Sequence, residues 1–313
     1  VTILIIGRRG QPAAGGRHTA HGRDGLKAPP WRTLDGTAGL GYRRIMSQPA
    51  PTLTAAAVTV LTAADPAEKC RLTQAHAQAW RDGAITAIGT VPPPARPARP
   101  AHPALRPPRE MPKRSTGPGK GRLGLLHALA HIELNAIDLA WDLIARFAAE
   151  APPRAFHDDW VQVAADEADH FQRLEADLHR LGSHYGALPA HDGLWQAAEQ
   201  TAGSLAARLA IVPCTHEARG LDTTPATLDR LRAAGETAIA ETLAVIYRDE
   251  ITHVRAGTRW LRWLAERDGV AAHTLFHREI ARHYKGGLKP PFNEAARAEA
   301  GMPREWYAPL ARA

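Results

Sequence analysis

The strongest constraint on this chain is a motif that occurs twice. ADEADHF at 165–171 and DEITH at 249–253 each place an Asp, a Glu and, three residues after the Glu, a His within a stretch of helical periodicity. A helix advances 100° per residue, so residues three apart share a face about one turn apart. Glu167 can therefore act with His170, and Glu250 with His253. Three acids at 166, 167 and 169 repel one another unless something offsets them. Two further glutamates stand alone in apolar helical surroundings, Glu133 in LAHIELNAIDLAW and Glu217 in IVPCTHEARGL. The order along the chain is Glu, ExxH, Glu, ExxH, with 34 residues from Glu133 to Glu167 and 33 from Glu217 to Glu250. One ExxH alone is usually a solvated helix face. Two, at matching places in two hairpins and each preceded by a lone Glu, call for four helices around a shared core.

The remaining sequence fits an all-α fold, a four-helix bundle with an N-terminal helix, a proline-rich strap and a C-terminal helical extension. Of the 313 residues 44% are hydrophobic, enough for a real core. Residues 1–45 are rich in Gly, Arg and His without sustained periodicity, and hold most of the net charge of +7. They are expected to be disordered, either a genuine basic arm or upstream sequence preceding a natural start at Met46. Within the second segment, 46–120, a helix is predicted over 65–83, with Asp65 as N-cap, Pro66 in the first turn and Gly83 at the stop. Ten prolines in 91–120 exclude helix interior and make this stretch an extended basic strap. It is expected either to wrap the domain surface or to dock an acidic partner or RNA. The bundle is assigned to 121–269, with helices over 121–149, 154–181, 192–219 and 236–267, a short one over 225–234, and a kink at Pro213. The extension, 270–313, carries helices near 271–284 and 293–300. No apolar run approaches the ~20 residues needed to span a bilayer, TAAAVTVLTAA at 54–64 resembles a signal core in length alone, and a cytoplasmic protein is expected. Cys70 and Cys214 form no CxxC pair and are read as reduced thiols.

The six residues Glu133, Glu167, His170, Glu217, Glu250 and His253 form the ligand set of a dinuclear site. Four carboxylates balance two divalent cations, and carboxylate with imidazole suits iron or manganese. Without metal, four buried carboxylates would be costly and would protonate. Asp166 and Asp249 each precede a motif glutamate. A metal-bound His usually donates its other N–H to a carboxylate, so Asp166 is expected to hold His253 and Asp249 to hold His170. His131 and His216 are offset from the ligand face, as residues behind the ligands or at the surface, and His127 is nearly two turns from Glu133.

This pattern resembles the ferritin-like diiron-carboxylate superfamily. More narrowly, PPREMPKR at 107–114, HALAHIELNAIDLAWDLIARF at 127–147, LPAHDGLW at 188–195 and PFNEAARAEAGM at 291–302 resemble a bacterial ferritin-like family of unassigned function. The resemblance implies two Fe ions, or a Mn/Fe pair, and chemistry with O2 or peroxide. The expectation is an oxidoreductase acting on an unidentified small molecule, with a separate electron-donor protein because no nucleotide-binding glycine loop is evident. Alternatives are an iron-handling ferroxidase or storage-like protein and a tRNA-modifying hydroxylase that uses the basic strap. The places of a radical-storing tyrosine hold Leu174 and Gly257, which disfavours ribonucleotide reductase activity. Residues one turn from the ligands are expected to line a pocket: Ala130, Ile137, Val163, Leu174, Pro213, Cys214, Ile246 and Tyr247.

Overall fold

Helices account for the regular structure of residues 52–312, the part of the chain that the computed structural model describes. The expectations for residues 1–45 and for a start at Met46 fall outside these residues. The elements are α1 (Leu53–Thr62), α2 (Pro66–Arg81), α3 (Lys120–Arg146), α4 (Arg154–Arg180), α5 (Gly193–Gln200), α6 (Leu205–Ile211), a π-helical turn (Val212–Glu217), α7 (Ala218–Ala233), α8 (Thr237–Arg267), α9 (Ala272–His283), α10 (Glu294–Glu299) and α11 (Arg304–Tyr307). Extended pairing among the described residues is limited to two isolated bridges, Leu105 with Ala190 and Leu288 with Ala311.

The bundle consists of α3, α4, α8 and a fourth column built from α6, the π turn and α7. Helices α3 and α4 pack along their length, α4 crosses α8, and α8 lies against both α7 and the π turn. Tryptophans fix these alignments because each buries a large ring and still needs a partner for its N–H. Trp141 of α3 donates to Thr73 Oγ1 of α2 at 3.1 Å, Trp80 of α2 to Asp158 of α4 at 2.8 Å, and Trp260 of α8 to Asp159 of α4 at 2.8 Å.

Helix α2 begins as its sequence indicates. The Asp65 side chain accepts from Glu68 N at 2.9 Å, Pro66 opens the first turn, and Gly83 follows the end with φ +74°. The stretch that looked like a signal core is α1, capped by Thr52 and buried against α3. Helix α3 also corrects an expectation. By length and composition it could cross a membrane, but 83% of its apolar window is buried inside the protein. It is the central helix of the core.

The third bundle helix is not one rod over 192–219. Residues 201–204 interrupt it, and Ser204 caps a new start by accepting from Ala207 N at 3.1 Å. The kink at Pro213 takes the form of a π turn, and the helix then continues through Pro225 to Ala233. The separate helix expected over 225–234 is therefore the end of α7.

The strap lies on the bundle through its arginines. Arg99 donates to Asn135 at 2.5 Å and stands 3.9 Å from Asp138, both on α3. Arg96 pairs with Asp192 and Glu199, and Arg146 of α3 donates to the Pro94 carbonyl at 3.2 Å. Proline supplies no N–H, so backbone anchoring falls to the residues between prolines: Ala98 N donates to the Leu61 carbonyl at 2.7 Å and Arg106 N to the Ala190 carbonyl at 2.8 Å.

Candidate metal centre

Both motif glutamates and both histidines turn inward, to the middle of the bundle. Glu133, Glu167, His170 and His253 are buried, and Glu250 and Glu217 are nearly so. Two triads form there, Glu133 with Glu167 and His170, and Glu167 with Glu250 and His253. Glu167 belongs to both. Its Oε2 is 3.3 Å from His170 Nδ1, and its Oε1 is 3.1 Å from His253 Nδ1. Glu133 Oε2 lies 3.6 Å from His170 Nδ1, and Glu250 Oε2 lies 3.9 Å from His253 Nδ1. The two imidazole centroids are 5.8 Å apart.

The tautomers follow from the outer partners. His170 Nε2 is 3.1 Å from Asp249 Oδ2, and His253 Nε2 is 3.3 Å from Asp166 Oδ2. An ionised carboxylate can only accept, so each Nε2 carries a proton. Each Asp thus holds the His of the opposite helix, the crosswise pairing that the sequence suggests. A neutral imidazole in either place would then point its Nδ1 lone pair at glutamate oxygens. Lone pair against carboxylate is repulsive unless a proton or a cation lies between them.

The acids carry the same message. Burial, then the charge of Glu167, pushes the Glu133 carboxyl up to about 8. Burial and Glu167 push Glu217 up to about 7, and Glu250 rises well above the ordinary range for the same two reasons. Burial works against a charged Glu167 as well, but His253 and His170 outweigh it, and its carboxyl stays below the usual range. Both histidines are desolvated, yet their carboxylate neighbours hold them well above the ordinary imidazole value. Protons are thus what this cluster retains when nothing else neutralises it.

Glu133 Oε2, Glu167 Oε1, Glu217 Oε2, Glu250 Oε2 and His253 Nδ1 are all buried without a hydrogen-bond partner among the described residues. Orphaned atoms of this kind are rare in folded proteins. Here they are four carboxylate oxygens and an imidazole nitrogen, a donor set suited to a hard or borderline cation. These buried groups can hold a metal ion. Glu217 belongs to neither triad, but it faces the same cavity from the end of the π turn.

That cavity, of about 60 Å³, is walled by Leu129, Ile132, Ala136, Leu139, Leu194 and Ile246, with Glu133, Glu167, Glu217, Glu250 and His216 at its polar end. Of the eight pocket residues expected from sequence, Ile246 lines it. Ala130, Ile137, Val163 and Leu174 are buried in the hydrophobic core and are not among its walls. Pro213 and Cys214 pack against Gly257. Tyr247 turns outward, where its hydroxyl accepts from Asn293 Nδ2 at 2.9 Å. One turn of spacing fixes a distance along a helix but not a direction around it. The open side of α3 is the 129–132–136–139 edge, which a glutamate at 133 shares at spacings of −4, −1, +3 and +6. His216, expected behind the ligands or at the surface, is a wall residue here, while His131 bonds the Tyr185 hydroxyl at 2.7 Å and the His191 carbonyl at 3.2 Å. Both thiols are free and buried, and burial raises Cys70 to about 12.

Fold and site together define an all-α helical bundle with a carboxylate–imidazole cluster at its core. A family model described as "Protein of unknown function (DUF455)" matches residues 62–308, and the chain belongs to that family. A protein of Haemophilus influenzae, described as uncharacterized, is 38% identical over 200 residues, spanning 62% of this chain and 69% of the relative. No solved structure matches.

Proposed function

We propose that the chain binds two iron ions, or a manganese/iron pair, and is an oxidoreductase that uses O2 to oxidise or hydroxylate a small organic substrate. The observation that carries this reading is Glu167, whose two oxygens face two histidines from two different helices and so belong to both triads. The resemblance to ferritin-like diiron proteins supports it. A pair of such ions, when bound, supplies electrons to O2 and Lewis acidity to the substrate.

The chain's own residues do the rest. Glu167 spans the two positions, Glu133 and Glu250 flank them, and Glu217 comes from the fourth column. Asp249 and Asp166 hold the Nε2 protons of His170 and His253, which leaves both Nδ1 lone pairs directed inward. Leu129, Ile132, Leu139 and Ile246 keep the adjoining space apolar and limit water access. The apolar walls beside the carboxylates favour an organic substrate over the alternative of iron storage, since they give such a molecule a surface to bury. Reducing equivalents come, on this reading, from a separate protein.

The test is metal analysis of protein purified without oxygen, followed by O2 exposure and optical spectroscopy. About two Fe per chain are expected, with a near-ultraviolet charge-transfer band that grows on exposure. Glu167→Ala should lose both. Full metal content in that variant, or none in the native protein under iron- and manganese-replete conditions, would overturn the reading.

A further inference from the structure

A second cavity adjoins the metal-side cavity and shares two of its walls, Ile132 and Leu194. It lies under the end of the strap, where PPREMPKR terminates in Arg114. No acidic side chain lines it. Each of its three histidines is engaged by neighbours within the fold. His127 Nε2 accepts from Gly186 N at 2.9 Å, and burial lowers that ring to about 4. His191 Nδ1 accepts from Gly193 N at 3.2 Å, and burial lowers it too. His131 is fixed between Tyr185 and the His191 carbonyl.

Arg114 is the one Arg, Lys, Asp or Glu that lines the cavity. It is half-buried, and among the described residues its guanidinium has neither an ion pair nor a hydrogen bond. Other strap arginines differ in this respect: Arg96 and Arg99 are consumed by Asp192, Glu199, Asn135 and Asp138. A half-buried guanidinium that spends none of its donors on the protein keeps them for solvent or for a ligand. Guanidinium also presents a planar fork of donors matched to carboxylate or phosphate.

We propose that Arg114 binds the anionic headgroup, carboxylate or phosphate, of a small molecule whose apolar body passes Ile132 and Leu194 toward Glu133. The proposal deepens the oxidoreductase reading and rests on it for the word substrate; the binding site itself does not depend on metal. The cavity under the strap offers about 20 Å³ and its neighbour about 60 Å³. Since roughly 10–15 Å³ on this measure holds one water, the body is short and unbranched rather than polycyclic.

The experiment is calorimetric titration of the full-length protein, with its metal content measured, using hexanoate, hexyl phosphate and 1-hexanol. At least one of the two anions should bind roughly tenfold or more tightly than the alcohol, as a charge-assisted bond to guanidinium requires. Whichever anion binds more tightly identifies the headgroup. Arg114→Gln should remove that preference, leave alcohol binding and metal content unchanged, and keep or raise Tm, because it deletes an unpaired charge. Arg109→Gln, on the same strap but 84% exposed, should change nothing. Equal affinity for anions and alcohol, a preference that survives Arg114→Gln, or a lower Tm in that variant would overturn the proposal. Anion preference without any bound metal would sustain this site and remove the oxidoreductase reading instead.

Discussion

Gly257 of α8 lies against Pro213 of the π turn with no room for a side chain. A Cβ at 257 would stand 2.5 Å from the proline Cβ, 2.6 Å from its Cγ and 3.3 Å from Cys214 Sγ. Gly257 is one turn past His253, and Pro213 is one turn before Glu217, so this contact sets the approach of two candidate ligands. The π turn places Glu217 by adding one residue to the helical repeat, and Thr215 Oγ1 secures it by donating to the Ala210 carbonyl at 2.7 Å. Such turns occur frequently at functional sites.

Gly257→Ala tests that contact. Helix propensity alone would stabilise the variant by up to about 1 kcal/mol. Overpacking against a rigid proline ring costs typically about 1–3 kcal/mol. The expected outcome is net destabilisation together with lower metal content, since α8 and the π turn must separate. Thermal melts and metal analysis read both. A more stable variant with full metal content would show that the contact yields without cost.

Asp249→Ala and Asp166→Ala should each weaken metal binding by roughly 10–100-fold, the usual effect of deleting a carboxylate behind a ligating imidazole. Because Asp249 orients His170 and Asp166 orients His253, the two variants should impair different positions. Titration with Mn(II) followed by paramagnetic resonance would separate them. Asn at either place still accepts the Nε2 proton and should lose less.

Much of this arrangement is legible in the sequence because it is periodic. Glu167 with His170, Glu250 with His253 and the crosswise aspartates all follow from helical geometry and from the need to neutralise buried acids. Helix α2 follows from Asp65 and Pro66. What is not legible depends on rotation and on tertiary burial. A π turn at 212–217 leaves no periodic mark beyond one proline. Helix α1 offers only an apolar run, which packing against α3 makes a core element. Tyr247 shows the same limit: its spacing from Glu250 suits the site, but its hydroxyl bonds Asn293 of the C-terminal extension.

The metal-free protein should lose stability as pH rises from about 7 to 9. Below about pH 6.5, His76, His127, His131, His157, His191 and His216, all lowered by burial, act in the opposite sense, because the unfolded chain binds protons there that the folded one does not. The sign follows from proton counts. Glu133 at about 8, Glu217 at about 7 and the raised Glu250 hold protons that an unfolded chain has already released near pH 4.5. His170 and His253, also raised, contribute stability that is fully present below their unfolded value and lost as pH climbs through the folded one. Glu167, lowered, acts in the opposite sense, but below about pH 4.5, outside this window. Metal needs the deprotonated ligands, so its stabilising effect should grow over the same range. Calorimetry with and without Mn(II) at pH 7 and 9 checks this, and a metal-independent, flat profile would contradict it.

Lys69 and Asp138 form an ion pair in which each side chain is 1% exposed. Lys69 also donates to the Val60 carbonyl at 3.1 Å, so one ammonium joins α1, α2 and α3, while Arg99 of the strap stands 3.9 Å from the same aspartate. Burial raises the Asp138 carboxyl, and Lys69 and Arg99 oppose the rise. Lys69→Met would leave Asp138 with the more distant Arg99. Breaking one partner of a buried pair costs about 3–5 kcal/mol, whereas replacing both with apolar residues is often close to neutral. The Lys69→Met/Asp138→Leu double variant should therefore recover most of what the single variant loses, unless the strap depends on Asp138. In that case Arg99 would keep its hydrogen bond to Asn135 but lose its carboxylate, and the double variant would stay unstable until Arg99→Met is added. Urea denaturation of the three variants distinguishes a pair that serves the core alone from one that also fastens the strap beside the metal-bearing helix.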